Sequence, residues 1–173
     1  MPKTLKDIVH FIGPGIHSGL ECRVIAMPAP VGTGIVFYRQ DLGSEVRVSP
    51  DTIAHTNRAT LIKSDQVTIR TPEHLLSACA GLGITDLRFE LDQEELPILD
   101  GSALPFVEGF LKAGIDENNG NNLPLRVLSP CLIEEVGMSI LVLPSEDLRF
   151  SYFLDYPNSF VGQQSFTYVM KDP

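Results

Sequence analysis

The chain has 173 residues, 43% of them hydrophobic and 20% charged, with a formal net charge of −9. This is long and apolar enough for one or two globular domains with a sizeable core. The negative balance argues against nucleic acid and anionic membrane surfaces as general partners, while leaving open an anionic small molecule met by a local cluster of bases.

The start, MPKTLKDIVHFIG, shows no apolar stretch followed by a cleavage pattern, so no signal peptide is expected. No apolar run reaches the ~18 residues of a spanning helix, so no transmembrane segment is expected either. Cys22, Cys79 and Cys131 are odd in number and far apart. They read as reduced thiols of a cytoplasmic protein rather than as disulfides or thiolate metal sites.

In chain order, strands are predicted over Leu5 to Ile12, Glu21 to Met27, Gly34 to Tyr38, Thr60 to Lys63 and Val67 to Arg70. Each is short, rich in β-branched residues and bounded by Gly, Pro or Asp. In "TPEHLLSACAGLG", Thr71 suits an N-cap and Pro72 the first helical position. Leu75, Leu76, Cys79 and Leu82 then form an apolar stripe, and Gly81 or Gly83 ends the helix. "TDLRFELD" alternates as a half-buried strand, with Leu87, Phe89 and Leu91 on one side and Asp86, Arg88 and Glu90 on the other. After the loop "QEELPILDGS", Ser102 is the expected cap of a second helix whose stripe, Phe106, Val107, Phe110 and Leu111, reads as core rather than as a lipid groove.

The polar stretch "DENNGNN" reads as a linker. The expected organisation is therefore a first domain over 1–115, a linker over 116–122, and an incomplete start of a second domain over 123–173. The first domain reads as α+β, an antiparallel-rich sheet with two helices on one face. The second offers strands over Leu125 to Cys131, Ser139 to Leu143, Leu148 to Asp155 and Ser165 to Met170, with no helix to cover the sheet. Such a sheet needs the rest of its own domain or another protein surface over it.

"GPGIHSG", Gly13 to Gly19, is not a dinucleotide fingerprint. Its spacing is G-x-G-x-x-x-G, and a strand follows where the pyrophosphate would need a helix start. A tight hairpin turn is expected instead. No Walker A sequence, nucleophile elbow or C-x-x-C occurs, and Glu73-His74 is not the H-E-x-x-H of zincins, since Ala78 stands four residues after His74.

Glu73 and His74 lie about 100° apart around the helix, so from its first turn both can lean into one cleft. The positive end of the helix dipole favours an ionised carboxylate and a neutral imidazole. Those are the states needed to accept a proton from water and to ligate a metal. Helix stabilisation by an acidic first turn explains the same residues. Catalytic zinc usually takes three protein ligands, and nothing in the spacing of His10, His17, His55 and His74 marks a second one.

Three stretches, "TLKDIVHFIGPGIHSG", "TPEHLLSACAGLGI" and "ELPILDGSALPFVEGFLKAGI", occur in one order and at one spacing that resembles the UDP-3-O-acyl-N-acetylglucosamine deacetylases, zinc enzymes of lipid A biosynthesis. The resemblance covers the first domain nearly end to end and continues more loosely to Pro173. It implies two similar α+β domains packed face to face with the active site between them. It makes His74 the zinc ligand of the first domain and Glu73 the general base that takes a proton from the zinc-bound water. It puts His17 near the cleft, Thr60 on a strand leading to the site, and Asp100 in a loop supporting the cleft. Asn57 and Arg58 depart from the family pattern and receive no role.

Several residues keep a plainer reading beside this one. His17 fits a turn residue, Asp100 an ordinary Asx turn, and His10 and His55 surface histidines. Arg58, Lys63 and Arg70 flank the approach to the helix, where a substrate phosphate would come, but such bases are commonly solvated. The family's other His and Asp ligands, in an H-K-x-x-D motif, its general-acid His and its oxyanion-stabilising Thr have no counterpart before Pro173. This chain alone is therefore expected to bind Zn²⁺ weakly and to turn over no UDP-3-O-acyl-N-acetylglucosamine. The rival reading is a non-catalytic relic that binds a nucleotide sugar or a partner protein.

Overall fold

The computed structural model describes residues 1–55, 59–117 and 126–170. Contacts divide the chain into two units, Met1–Asn122 and Leu123–Pro173.

The first unit is α+β. Its strands are β1 (Lys3–Leu5), β2 (Val9–Pro14), β3 (Glu21–Pro28), β4 (Ile35–Arg39), β5 (Ser44–Arg47), β6 (Ile53–His55), β7 (Leu61–Lys63), β8 (Thr68–Arg70), β9 (Leu87–Leu91) and β10 (Ile115–Glu117). Its helices are α1 (Glu73–Leu82) and α2 (Leu104–Ala113). The main sheet has five strands in the order β2-β3-β9-β4-β5, antiparallel except for the parallel pair β4 and β9. One row of side chains crosses all five strands: Val9, Ala26, Phe89, Phe37 and Val46. The pleat turns this row inward, and Phe37 and Phe89 stack with ring centres 5.2 Å apart.

The helices complete the core. Phe106 and Phe110 of α2 sit 4.9 and 5.6 Å from the Phe11 ring, and Phe110 also reaches Phe89. Helix α1 packs beside α2 and adds Leu75, Ala78 and Cys79 to the same cluster. Gly83 closes α1 at φ 70°, a left-handed conformation that glycine adopts without strain.

The β9 alternation is as expected: Leu87, Phe89 and Leu91 are fully buried. On the other face Arg88 pairs with Glu45 and Glu90 and lies over the Tyr38 ring. Asp86, expected on the solvent side, is buried instead, where it accepts the Gly34 N–H at 2.8 Å and the Thr85 hydroxyl at 2.7 Å.

Three other expectations are corrected. The segment expected as one strand from Leu5 to Ile12 is two, because β1 leaves the main sheet to pair with β10. That pairing also places Asp116 and Glu117, expected in the linker, within a strand of the first unit; residues 118–122 of the expected linker lie outside the described residues. Thr71 does not cap α1. Its φ is 57°, and its hydroxyl is engaged elsewhere. Ser102 lies one residue before Ala103, which takes the cap position of α2, and its hydroxyl accepts the Leu104 N–H at 3.1 Å.

In the second unit, β11 (Cys131–Glu135) pairs antiparallel with β12 (Met138–Val142), and β13 (Arg149–Tyr156) with β14 (Gly162–Val169). These are two separate two-stranded ladders rather than the single sheet expected. The first strand begins where the sequence reading ended it, at Cys131, after Pro130; Leu125 lies outside the described residues. Most of the described side chains here are exposed, including Ile133, Ile140, Phe153 and Phe166. A two-stranded ribbon has too few neighbours to bury such residues unaided.

Candidate functional site

The three-stranded sheet β6-β7-β8 delivers the start of α1. Ile62 and Ile69, both fully buried, face each other across β7 and β8 and anchor that hairpin in the core. The ladder runs on one step past its strands, with the Thr71 N–H donating to the Thr60 carbonyl at 3.1 Å. Thr60 then reaches the helix: its N–H donates to Glu73 Oε2 at 3.3 Å. Two sequence-predicted residues, Thr60 and Glu73, are therefore in direct contact. His74 follows Glu73 in the first turn of α1, and both side chains are half-buried.

A residue that the sequence reading passed over ties this junction to the glycine turn. Glu95 follows β9 in the loop before α2, and its backbone bridges to Arg70: the Arg70 N–H donates to the Glu94 carbonyl at 2.8 Å and the Leu96 N–H to the Arg70 carbonyl at 3.1 Å. The Glu95 residue is 2% exposed. Its carboxylate accepts the His17 N–H at 2.9 Å, the Ser18 N–H at 2.7 Å and the Thr71 hydroxyl at 3.3 Å.

Burial pushes the Glu95 carboxyl up. The hydrogen bonds from the Ser18 side chain, the His17 and Ser18 backbone and Thr71 outweigh it and hold the group below the usual carboxylate value. Nothing in "QEELP" distinguishes Glu95 from its neighbours Gln93 and Glu94; its role comes from residues about 77 positions away in sequence.

The turn itself is the hairpin expected between β2 and β3. It is closed by the Gly15 N–H to the Leu20 carbonyl at 2.9 Å and the Gly19 N–H to the Gly15 carbonyl at 3.0 Å. Gly15 is buried against the carboxylate, and a Cβ there would lie 2.4 Å from Glu95 Oε2. Glycine is required by this close approach.

The remaining candidates fall as follows. His17 is exposed on the turn, held through its backbone. Asp100 is exposed and accepts both the N–H and the hydroxyl of Ser102 at 2.9 Å, a local Asx turn. His10 and His55 are exposed. Arg70 is paired with Glu94, Lys63 is exposed, and Asn57 and Arg58 lie outside the described residues. Cys22 and Cys79 are free thiols pushed up to about 12 by burial, with Asp92 adding to the effect at Cys22, and Cys131 is free and exposed. Among the described residues no group of three His, Cys, Asp or Glu side chains converges as a metal site. A shallow depression lined by Tyr38, Ser44, Glu45 and Gln66 shares no residue with the Glu73–Glu95 cluster.

Fold and site together define an α+β protein that presents a carboxylate and an imidazole at one helix start, braced by a buried second carboxylate. The model of the LpxC family, UDP-3-O-acyl N-acetylglycosamine deacetylase, matches residues 2–173, and the chain belongs to that family. Curated relatives named UDP-3-O-acyl-N-acetylglucosamine deacetylase include those of Colwellia psychrerythraea, 39% identical over 97% of this chain and 56% of the relative, and of Solibacter usitatus, 39% identical over 96% and 57%. Another, from Coxiella burnetii, is 37% identical over 94% of this chain and 54% of its own length. The chain thus spans about half the length of the curated relatives it matches. No helix among the described residues is long and apolar enough to cross a membrane.

Proposed function

We propose that this chain is the N-terminal portion, carrying the first-domain half of the site, of a cytoplasmic, zinc-dependent deacetylase that hydrolyses the acetamide of UDP-3-O-acyl-N-acetylglucosamine and releases acetate, in lipid A biosynthesis. The observation that carries the reading is Glu73 beside His74 at the start of α1, with the Thr60 N–H on the Glu73 carboxylate, in a chain of this family. Glu73 is the general base. The Thr60 N–H holds one carboxylate oxygen, so the group keeps a defined direction. His74 is one metal ligand, through an imidazole nitrogen.

Catalytic zinc usually takes three protein ligands, and the described residues supply this one imidazole at the site. The remaining ligands and the general acid belong, on this reading, to the rest of the protein. When bound, zinc supplies Lewis acidity at the acetamide and lowers the pKa of a bound water. The exposed strands over 126–170 are covered by the rest of their own domain.

The test is acetate release from UDP-3-O-acyl-N-acetylglucosamine by the gene-length protein that carries this chain, with Zn²⁺ supplied. Stoichiometric acetate and free amine support the reading. A correctly folded, zinc-loaded protein that releases neither would sink it.

A further inference from the structure

We infer that Glu95 is a positioning residue: its buried carboxylate clamps the Gly13–Gly19 turn onto the strand-to-helix junction and so sets where His17 stands relative to Glu73 and His74. Four observations converge. The carboxylate accepts from both sides of the gap, from the His17 and Ser18 N–H groups on the turn at 2.9 and 2.7 Å and from the Thr71 hydroxyl at the junction at 3.3 Å. Its own backbone is locked to the same junction by the Arg70 bridge. It is 2% exposed, so its bonds are not shared with bulk water. Gly15 leaves the room it occupies, since a Cβ there would sit 2.4 Å from Oε2.

A buried ionised carboxylate is costly to leave without its donors, so the turn and the junction are held as one rigid piece. Thr71 has the consequence written into its backbone. A β-branched residue at φ 57° is strained, and the contact with Glu95 is among those that hold it there, one residue before Pro72 starts the helix turn. The turn side chains are exposed and so free to meet a ligand, while their backbone is fixed from beneath. The functional part of this inference rests on the deacetylase reading; the clamp itself does not.

The experiment has two arms. In the 173-residue chain, amide hydrogen exchange at His17 and Ser18 is followed in wild type, Glu95→Gln, Glu95→Ala and Gly15→Ala. The expected result is exchange at least about tenfold faster at both amides in Glu95→Ala and Gly15→Ala, with Glu95→Gln between them and wild type and the amides of β9 unchanged. Gly15→Ala displaces the carboxylate without altering it, so it decides the case if Glu95→Ala fails to fold. Unchanged exchange at His17 and Ser18 in the folded variants overturns the clamp.

In the gene-length protein, Glu95→Gln is expected to raise KM for the UDP-sugar about tenfold with kcat held within about threefold, the pattern of lost positioning rather than lost chemistry. An unaltered KM beside a confirmed loss of amide protection overturns the link from turn to substrate. Absence of turnover in the wild type counts against the deacetylase reading and leaves the exchange result to decide the clamp.

Discussion

The backbone N–H of Thr60 donates to the Glu73 carboxylate at 3.3 Å, joining the residue before β7 to the first residue of α1. The contact follows from the β7–β8 ladder, which runs one pair beyond its strands and sets Thr60 opposite Thr71 at the helix entrance. Because the donor is backbone, Thr60→Ala leaves it in place. That substitution is predicted to shift kcat of the gene-length protein by less than about threefold, whereas Thr60→Pro, which removes the donor, lowers kcat at least about tenfold. Steady-state kinetics of the two variants, with circular dichroism to confirm folding, check the pair.

Glu95 gives the fold a pH dependence with a definite sign. Its carboxyl is held below the unfolded value, so its contribution is complete above the unfolded pKa of about 4.3 and is lost as pH falls through the folded value. Urea midpoints are predicted to fall more steeply with acid in wild type than in Glu95→Gln. Asp41, lowered chiefly by the Arg39 hydrogen bonds, contributes with the same sign in both proteins and cancels from the comparison.

Arg39 is 7% exposed, yet its guanidinium is satisfied. It donates to both oxygens of Asp41, at 2.9 and 2.7 Å, and to the Thr68 carbonyl at 3.1 Å, linking β4 to β8. Arg39→Lys keeps the charge but loses the fork geometry. A cost of about 2 kcal/mol is expected for Arg39→Ala, limited because Asp41 is partly exposed and regains water. Arg39→Lys is expected to recover less than half of it, read by chemical denaturation.

Gly109 runs against the usual rule for helices. Replacing a helical glycine by alanine ordinarily gains up to about 1 kcal/mol. Here a Cβ would lie 2.6 Å from Phe11 Cε1, and that ring is already fixed between Phe106 and Phe110. The overpacking cost of about 1–3 kcal/mol wins, so Gly109→Ala is predicted to lower the melting temperature. A higher melting temperature would show that the Phe11 ring has room to move.

What the sequence made legible was what local pattern controls. The α1 stripe, the Gly83 stop and the β9 alternation depend on neighbours in the chain, and Leu75, Cys79, Phe89 and Gly83 stand where that pattern places them. The elements that escaped depend on non-local pairing. β5 reads "SEVR" with one apolar residue, Val46, yet it completes the main sheet. β10 exists because β1, more than a hundred residues earlier, pairs with it. The same divide runs through the site. Glu73 and His74 could be singled out from "TPEH", whereas Glu95 could not, because all its partners come from other segments. Thr71 departs from its expected cap role for the same reason: a cap preference of about 1 kcal/mol gives way to a tertiary bond with a buried charge.

The most direct measurement of the central claim is kcat of the gene-length protein with Glu73 intact and with Glu73→Gln, at equal zinc content. The substitution keeps the shape and the Thr60 contact and removes the base. If Glu73 is the general base of a deacetylase, kcat falls by about 10²–10⁴ while zinc occupancy and KM stay near wild type. A Glu73→Gln protein that keeps wild-type kcat would contradict the account and return the helix start to a purely structural role.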